Sequence, residues 1–535
     1  MNLSIVLIFC AIVIVGCLLL QKLTNRIGVP YLVGFIILGM LFGSDGVLRI
    51  QFENFRIAQI ICTVALIFIM FFGGFETRLN KVNAIMKPAV VLSTGGVLLT
   101  ALMMTAIIHF ILRLSVVESF LISAVLSSTD AASVFSILKS QELHLKHQTA
   151  SLLELESGSN DPFAYLLAVV GIFIFKGQFQ ISEIFWILVL QIGVALLVTV
   201  VLSKVTRFIF DRMTFDNVGI LVTFIMAVAL LSYALPEAFK GNGYLSAYLV
   251  GLILGNHYIP QKKEVMVFFE GVISICQILT FFLLGLLSAP KLLPDLLVLG
   301  GVIAVVLMLV VRPIVVWIIG KVFHLKKEQM TVISWAGLRG ASSIVFSIMI
   351  VNQVHLTMDI FHIVLCVVLV SIIIQGTLLP IIARRTNMID VNENVFKTFN
   401  FYSEEVPLDI LTIRIPETHA WANRAIETID FPPSTLVFQI QRDEELIVPD
   451  GQTVLQVGDL LQCVVFTRQN HSHLKFYQIN VEDDSRYLGK VLKDSIFSQD
   501  LVVAIERDGH MIVPNGDTMV LLGDTLLMKK MTGNQ

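Results

Sequence analysis

The chain has 535 residues, of which 56% are hydrophobic and 14% charged, with a net charge of −3 and a mean hydropathy of +0.84. Soluble domains carry roughly 25% charged residues, so this composition excludes one and describes a polytopic membrane protein. The small net charge lends no support to nucleic acid binding, and the six cysteines lack paired metal-ligand spacing.

Hydropathy breaks at charged, proline and glycine clusters divide residues 1–385 into about thirteen spans of roughly twenty residues each. They begin near Leu3, Tyr31, Ile57, Pro88, Glu118, Gln148, Glu183, Asn217, Gly241, Val265, Leu296, Gln329 and Phe361, and those at Tyr31 and Gly241 are short. The first run lacks the basic flank and small-residue cleavage site of a signal peptide, so it reads as a retained span. Basic residues gather in alternate connections, among them Lys22 and Arg26, Arg78, Lys81 and Lys87, Lys139 and Lys146, and Arg384 and Arg385. Cytoplasmic loops carry such an excess, so the N-terminus is expected outside and the tail in the cytoplasm.

Three polar segments interrupt these spans. Span 5 contains SSTDAASVF, residues 127–135, with Asp130 about 18 Å into the span and near the midplane. Hydroxyls and a carboxylate set among small residues suit a locally unwound segment lining a cavity. The serines are equally the small residues that let helices pack closely, and packing is the preferred reading for them. Span 6 contains LLELESGSNDPFAY, residues 152–165. An ionisable group at mid-bilayer costs roughly 2.5 to 3.5 kcal/mol on insertion scales, so such groups usually line ion or proton paths. At helical spacing Glu154, Ser157 and Asp161 share one face, while Glu156 and Asn160 lie on roughly the opposite one. Asp161 is about 20 Å along the span, and Glu154 lies nearer the cytoplasmic mouth, where it forms a funnel. Pro162 removes a helical hydrogen bond beside Asp161 and frees a carbonyl.

The third segment, GLRGASS at residues 337–343, lies in span 12, which runs the other way. Arg339 is about 15 Å deep, and a buried guanidinium needs an anionic partner, Glu156 or an aspartate. Arg312, before Pro313, is expected to snorkel from the inner end of span 11. Interrupted segments of opposite direction in spans 5 and 12 are what inverted repeats would show, with spans 4 to 6 and 11 to 13 as the repeats. No HExxH or nucleotide-hydrolase motif occurs, so transport would be driven by a gradient.

From Thr386 the sequence turns polar, and from about Val406 alternating strands appear with helical stretches between them. IVPDGQTVLQVGD from Ile447 and IVPNGDTMVLLGD from Ile512 align without a gap. Asp450-Gly451 and Asn515-Gly516 are hairpin-turn dipeptides that tolerate positive φ. NRAIETI from Asn423 and GKVLKDS from Gly489 predict a short helix in each copy, with a shift of one residue. The tail therefore reads as two related α+β modules, serving as an assembly appendage or as a ligand sensor.

Thr129-Asp130, ESGSNDP at 156–162 and GLRGA at 337–341 together resemble the monovalent cation:proton antiporter 1 family, of NhaP type, over residues 1–385. After a linker at 386–405, residues 406–470 resemble an RCK C-terminal (TrkA-C) module, and 471–535 a more divergent one. No RCK Rossmann motif accompanies them, so NAD regulation is not implied. The resemblance implies an all-α, NhaA-like antiporter fold with inverted repeats and unwound crossing helices, plus a cytoplasmic α+β RCK C-type domain. It implies a homodimer in a bacterial cytoplasmic membrane, whose core domain moves against a dimerisation domain.

By position, the resemblance makes Asp161 the ion- and proton-binding carboxylate. Asp130, the Thr129 backbone carbonyl and Ser157 would complete or neighbour the cation site, Asn160 would orient it, and Glu156 would pair with Arg339. Asn160, in place of a second acid, accompanies electroneutral exchange of one cation for one proton. The architecture implies potassium, with sodium as runner-up, because the same oxygen-rich residues serve both. No cofactor is required for exchange, and a regulatory nucleotide such as cyclic di-AMP is the tail ligand suggested by related modules. A gated cation channel with the same tail is the main rival, but no TVGYG-like filter is present. An intramembrane enzyme using Asp130 and Asp161 as acid and base would need substrate access that the sequence does not indicate.

Overall fold

A chain in lipid must satisfy its backbone hydrogen bonds internally, and the apolar runs of residues 3–385 accordingly form helices. The computed structural model describes residues 3–389 except 28–29, 48, 53, 78–84, 142, 144, 178–179, 214–216, 258 and 260. It also describes 408–530 except 417–418, 430, 432–434, 443–444, 448, 467–475, 482–484, 486, 493–499, 508–509 and 513–517. Arg78, Lys81, most of the expected linker and Asn515-Gly516 lie outside the described residues. The chain divides into two units, Met1–Ser403 and Glu404–Gln535.

The first unit begins with α1 (Leu3–Ile27), α2 (Tyr31–Phe42), α3 (Phe55–Glu76), α4 (Met86–Val91), α5 (Val97–Leu112) and α6 (Val116–Leu126). Then follow α7 (Ala131–Ser140), α8 (Thr149–Phe175), α9 (Ile181–Arg212), α10 (Val218–Ala238), α11 (Gly243–Gly255) and α12 (Lys262–Leu287). The last are α13 (Leu293–Val306), α14 (Arg312–Val322), α15 (Lys327–Trp335), α16 (Ala341–Gln353) and α17 (Ile360–Arg385). Among the described residues, 8 helices are long and apolar enough to cross a membrane, and shorter apolar helices include α2, α6, α11 and α16. This is a multi-pass integral membrane protein.

One pattern occurs twice. Between Met86 and Leu112 a π-helical turn, Leu92–Gly96, interrupts the helix; α6 and α7 are then separated by residues 127–130, and α8 runs unbroken. Between Pro290 and Val322 another π turn, Leu307–Val311, interrupts the helix; α15 and α16 are separated by residues 336–340, and α17 runs unbroken. Each break leaves helix-end backbone groups without intrahelical partners in the middle of the unit.

The second unit holds two four-stranded antiparallel sheets. β1 (Leu408–Arg414), β2 (Thr435–Arg442), β3 (Glu445–Ile447) and β4 (Leu460–Phe466) pair in the order β1-β4-β2-β3. β5 (Phe476–Asn480), β6 (Asp500–Arg507), β7 (His510–Ile512) and β8 (Thr525–Lys530) pair as β5-β8-β6-β7. The one-residue shift upstream is visible in the pairing, since Ala425 bridges Val454 in the first copy and Val491 bridges Met519 in the second.

Two local expectations in the tail are corrected. The helix predicted near Ile426 is a single 3-10 turn, Ile426–Thr428, because its residues bridge outward to Thr453 and Leu455 in place of continuing a helical ladder. Among the described residues of the tail, positive φ falls on Asn423 (+60°), Gly458 (+97°), Gly489 (+70°) and Gly523 (+85°), not on Gly451. The Asp450-Gly451 turn is closed by the Thr453 N–H donating to the Asp450 carbonyl at 3.2 Å, reinforced by the Thr453 hydroxyl donating to Asp450 Oδ1 at 2.6 Å.

Candidate functional site

The two breaks meet. Asp130 donates its backbone N–H to the Leu338 carbonyl at 2.8 Å, and Arg339 Nη1 donates to the Ser128 carbonyl at 2.6 Å. Each interrupted segment therefore satisfies backbone groups freed in the other. The charges also suit the helix ends: Asp130 stands immediately before α7, where exposed N–H groups favour an anion, and Arg339 covers a carbonyl past the end of α6, where a cation is favoured. Ser133 Oγ donates to the Asp130 carboxylate within the first turn of α7. From α17, Ser371 Oγ accepts the Arg339 N–H at 3.0 Å and Gln375 donates to the Trp335 carbonyl at 2.9 Å, fixing the second break.

Asp161 on α8 lies against this crossing, and its side chain is buried. Ser128 Oγ donates to Asp161 Oδ1, and the same hydroxyl lies 2.8 Å from Ser342 Oγ on α16. Thr129 Oγ1 accepts from Asn160 Nδ2 and lies 2.9 Å from Ser157 Oγ. Asn160 Oδ1, also buried, has no hydrogen-bond partner among the described residues. Around Asp161 the crossing thus collects four serine or threonine hydroxyls and a free amide oxygen, with Asp130 as a second carboxylate at the start of α7, all hard oxygen donors of the kind that replace the hydration shell of a small cation.

Asp161, Asp130, Thr129, Ser157 and Asn160 come together here; Glu154 does not. It is half-buried on α8, within electrostatic reach of Glu76 and Tyr248. Asn160 is not on a face remote from Ser157, for both reach Thr129, as an i, i+3 pair can.

The expected Glu156–Arg339 ion pair is replaced by a different one. Arg312 pairs with Glu156, Nη2 donating to Oε2 at 2.8 Å and Nη1 lying 2.7 Å from Oε1, with both side chains buried. Arg312 does not snorkel, because α14 begins at this residue directly after the π turn and its side chain is directed inward to α8. Gly337 gives it room: a Cβ there would lie 2.8 Å from Arg312 Nε. Arg339 is left within electrostatic reach of Glu156 and Asp161, hydrogen-bonded to backbone.

Sequence reasoning missed Ser342 and assigned Ser128 to packing. The adjacency of Ser128 to Thr129-Asp130 was the available signal, since a hydroxyl inside an unwound segment has no i−4 carbonyl to bond and turns to a neighbouring element.

With this geometry in hand, known proteins supply the family. The family described as "Sodium/hydrogen exchanger, transmembrane" matches residues 9–385, and the TrkA-C domain matches 410–465 and 476–529. The chain belongs to the sodium/hydrogen exchanger family. Two exchanger relatives are the K(+)/H(+) antiporter NhaP of Alkalimonas amylolytica and NhaP2 of Shewanella baltica. The first is 34% identical over 70% of this chain and 66% of its own, just under two thirds of that relative's length. The second is 30% identical over 84% of this chain and 78% of its own. The exchanger unit has the fold of the sodium proton antiporter MjNhaP1 from Methanocaldococcus jannaschii, with a TM-score of 0.61 and 21% identity over 72% of this chain and all of that one. The exchanger family makes the protein a transporter whose tail carries TrkA-C domains.

Proposed function

We propose that the protein exchanges cytoplasmic potassium for protons, one for one, at Asp161. The observation that carries this reading is a single buried carboxylate held by hydroxyls where two broken helices cross, with its neighbouring acids already engaged: Asp130 at the start of α7, Glu156 by Arg312. Exchange needs one carboxylate that takes a proton or a cation but not both. Loaded with either, the site is neutral and the core can cross; empty, its uncompensated buried charge opposes movement. Asp161 is the group that titrates, while Asn160 Oδ1, Ser157 and the Thr129 carbonyl lend the cation neutral oxygens.

Potassium is favoured by the relatives' names, sodium by the name of the structural neighbour. The finer architecture belongs to the same reading: about thirteen crossings in an NhaA-like arrangement of inverted repeats, the N-terminus outside, the tail on the cytoplasmic face of a bacterial inner membrane, and a homodimer with a mobile core. The TrkA-C modules would answer to a regulatory nucleotide, with no cofactor needed for exchange.

Proteoliposomes carrying a pH dye and challenged in turn with potassium, sodium, rubidium and lithium test this. Potassium is expected to give the largest dequenching, and Asp161→Asn to abolish it. Native-rate exchange by Asp161→Asn overturns the site, and a clear sodium preference overturns the cation.

A further inference from the structure

One helical turn beyond Asp161 on α8, about 6 Å further along, stands Tyr165. Its hydroxyl donates to Glu237 Oε1 at 3.3 Å, and the same oxygen accepts the Gly243 N–H at 3.2 Å across the turn between α10 and α11. Both side chains line a cavity of about 180 Å³, whose other polar walls include Thr63, Tyr233, Tyr244 and Gln353. At about 30 Å³ per water, that space holds several molecules. The hydroxyls are held in place by ring packing: Tyr244 meets Tyr165 at 5.0 Å and Tyr233 at 4.9 Å between centroids, edge to face in both cases.

The cavity is tied to the ion site. Asn242, in the same turn as Gly243, donates to the Pro162 carbonyl at 2.9 Å, next to Asp161. No lysine, arginine or histidine pairs with Glu237 among the described residues. A carboxylate without a protein counter-charge among the described residues, half-buried beside a cavity roomy enough for water and ringed by neutral oxygens, focuses cations into that space. It also lies towards the end of α8 away from Glu154, which by the orientation above is the outer end.

We infer that Glu237 and the Tyr165 hydroxyl form a second monovalent-cation site, an outer vestibule that loads and unloads Asp161. This rests on the exchange reading, and its test separates the two. Right-side-out and everted membrane vesicles present opposite faces of the full-length protein, so half-saturating potassium is measured for each face. Glu237→Gln is expected to raise that concentration about 5- to 10-fold at the vestibule face, the loss of one hydrated unit-charge attraction, and to leave the other face within about twofold. An unchanged value, or an equal rise at both faces, overturns the vestibule. Tyr165→Phe, which retains the ring packing, is the second variant should Glu237→Gln not reach the membrane. A rise confined to the same face supports the site, and no rise overturns it. Wild-type vesicles without cation-dependent proton flux overturn the exchange reading itself; flux lost in Asp161→Asn but unshifted in Glu237→Gln overturns the vestibule alone.

Discussion

Glu156, on the helix that carries Asp161, forms a buried ion pair with Arg312, and removing one partner of such a pair costs roughly 3 to 5 kcal/mol because the other is left charged and unpaired. Arg312→Met is accordingly expected to lower the thermal midpoint of the detergent-solubilised protein, and adding Glu156→Gln to recover part of the loss. A double variant no more stable than the single one would show that the two side chains do not act as a pair. The helical spacing of span 6 separates Glu156 from Asp161 correctly, since that angle is local. Its partner was not legible, because Arg312, before Pro313 near the inner end of a span, reads as a snorkelling residue, whereas Arg339 reads as the one at depth. Which one reaches Glu156 depends on how α14 and the second break are packed. Ser128 shows the same limit: a serine in an unwound stretch is read as a spacer until the carboxylate across from it is known.

The broken helices are the element that converts sequence into a site. SSTD and GLRG announce them, because neither is good material for a continuous lipid-facing helix, and both fall where the chain is interrupted. That each break serves the other, through Asp130 to Leu338 and Arg339 to Ser128, requires the two to cross. The crossing is tight at Gly340, where an added Cβ would fall on the Asp130 side chain. Gly340→Ala is expected to cost roughly 1 to 3 kcal/mol by overpacking and to slow proton exchange in proteoliposomes at least tenfold. Gly301→Ala, on α13 with open space around the added Cβ, serves as the control and is expected to exchange at the native rate. Equal rates in the two variants would count against a tight crossing.

At the scale of the whole molecule, each tail sheet is locked by the same pair. Arg442 binds Asp459 and Arg507 binds Asp524, each guanidinium also donating to a carbonyl, of Val454 or Met519. Burial pushes the Asp459 carboxyl up, but Arg442 and the Gln456 N–H outweigh it and hold the group below its ordinary value. Arg507 foremost, with the Leu521 N–H, holds Asp524 down against burial. Both carboxyls titrate lower folded than unfolded, so their stabilisation is complete above the unfolded value of about 3.9 and is lost as pH falls through the folded one. Hydrogen exchange on the full-length protein, corrected for intrinsic rates, is expected to show strand protection constant from about pH 7 to about pH 4.5 and falling below about pH 4. Protection that fades near pH 6 would rule these pairs out as the acid-sensitive lock.

The internal repeat of the tail was readable because duplicated sequence carries duplicated strands, whereas the position of positive φ was not, since at Asp450-Gly451 a backbone bond and the Thr453 side chain close the turn without it. Sequence by itself determined the helical membrane unit, the unwound segments and the carboxylate at mid-span, because hydropathy, helix-breaking and depth along a span are properties of neighbours in the chain. Only the tertiary structure decided that Arg312 holds Glu156, that Ser128 and Ser342 approach Asp161, and that Glu237 shares a cavity with Tyr165. Those are contacts between groups distant in sequence, and the packing of helices, not their composition, selects which polar atoms meet.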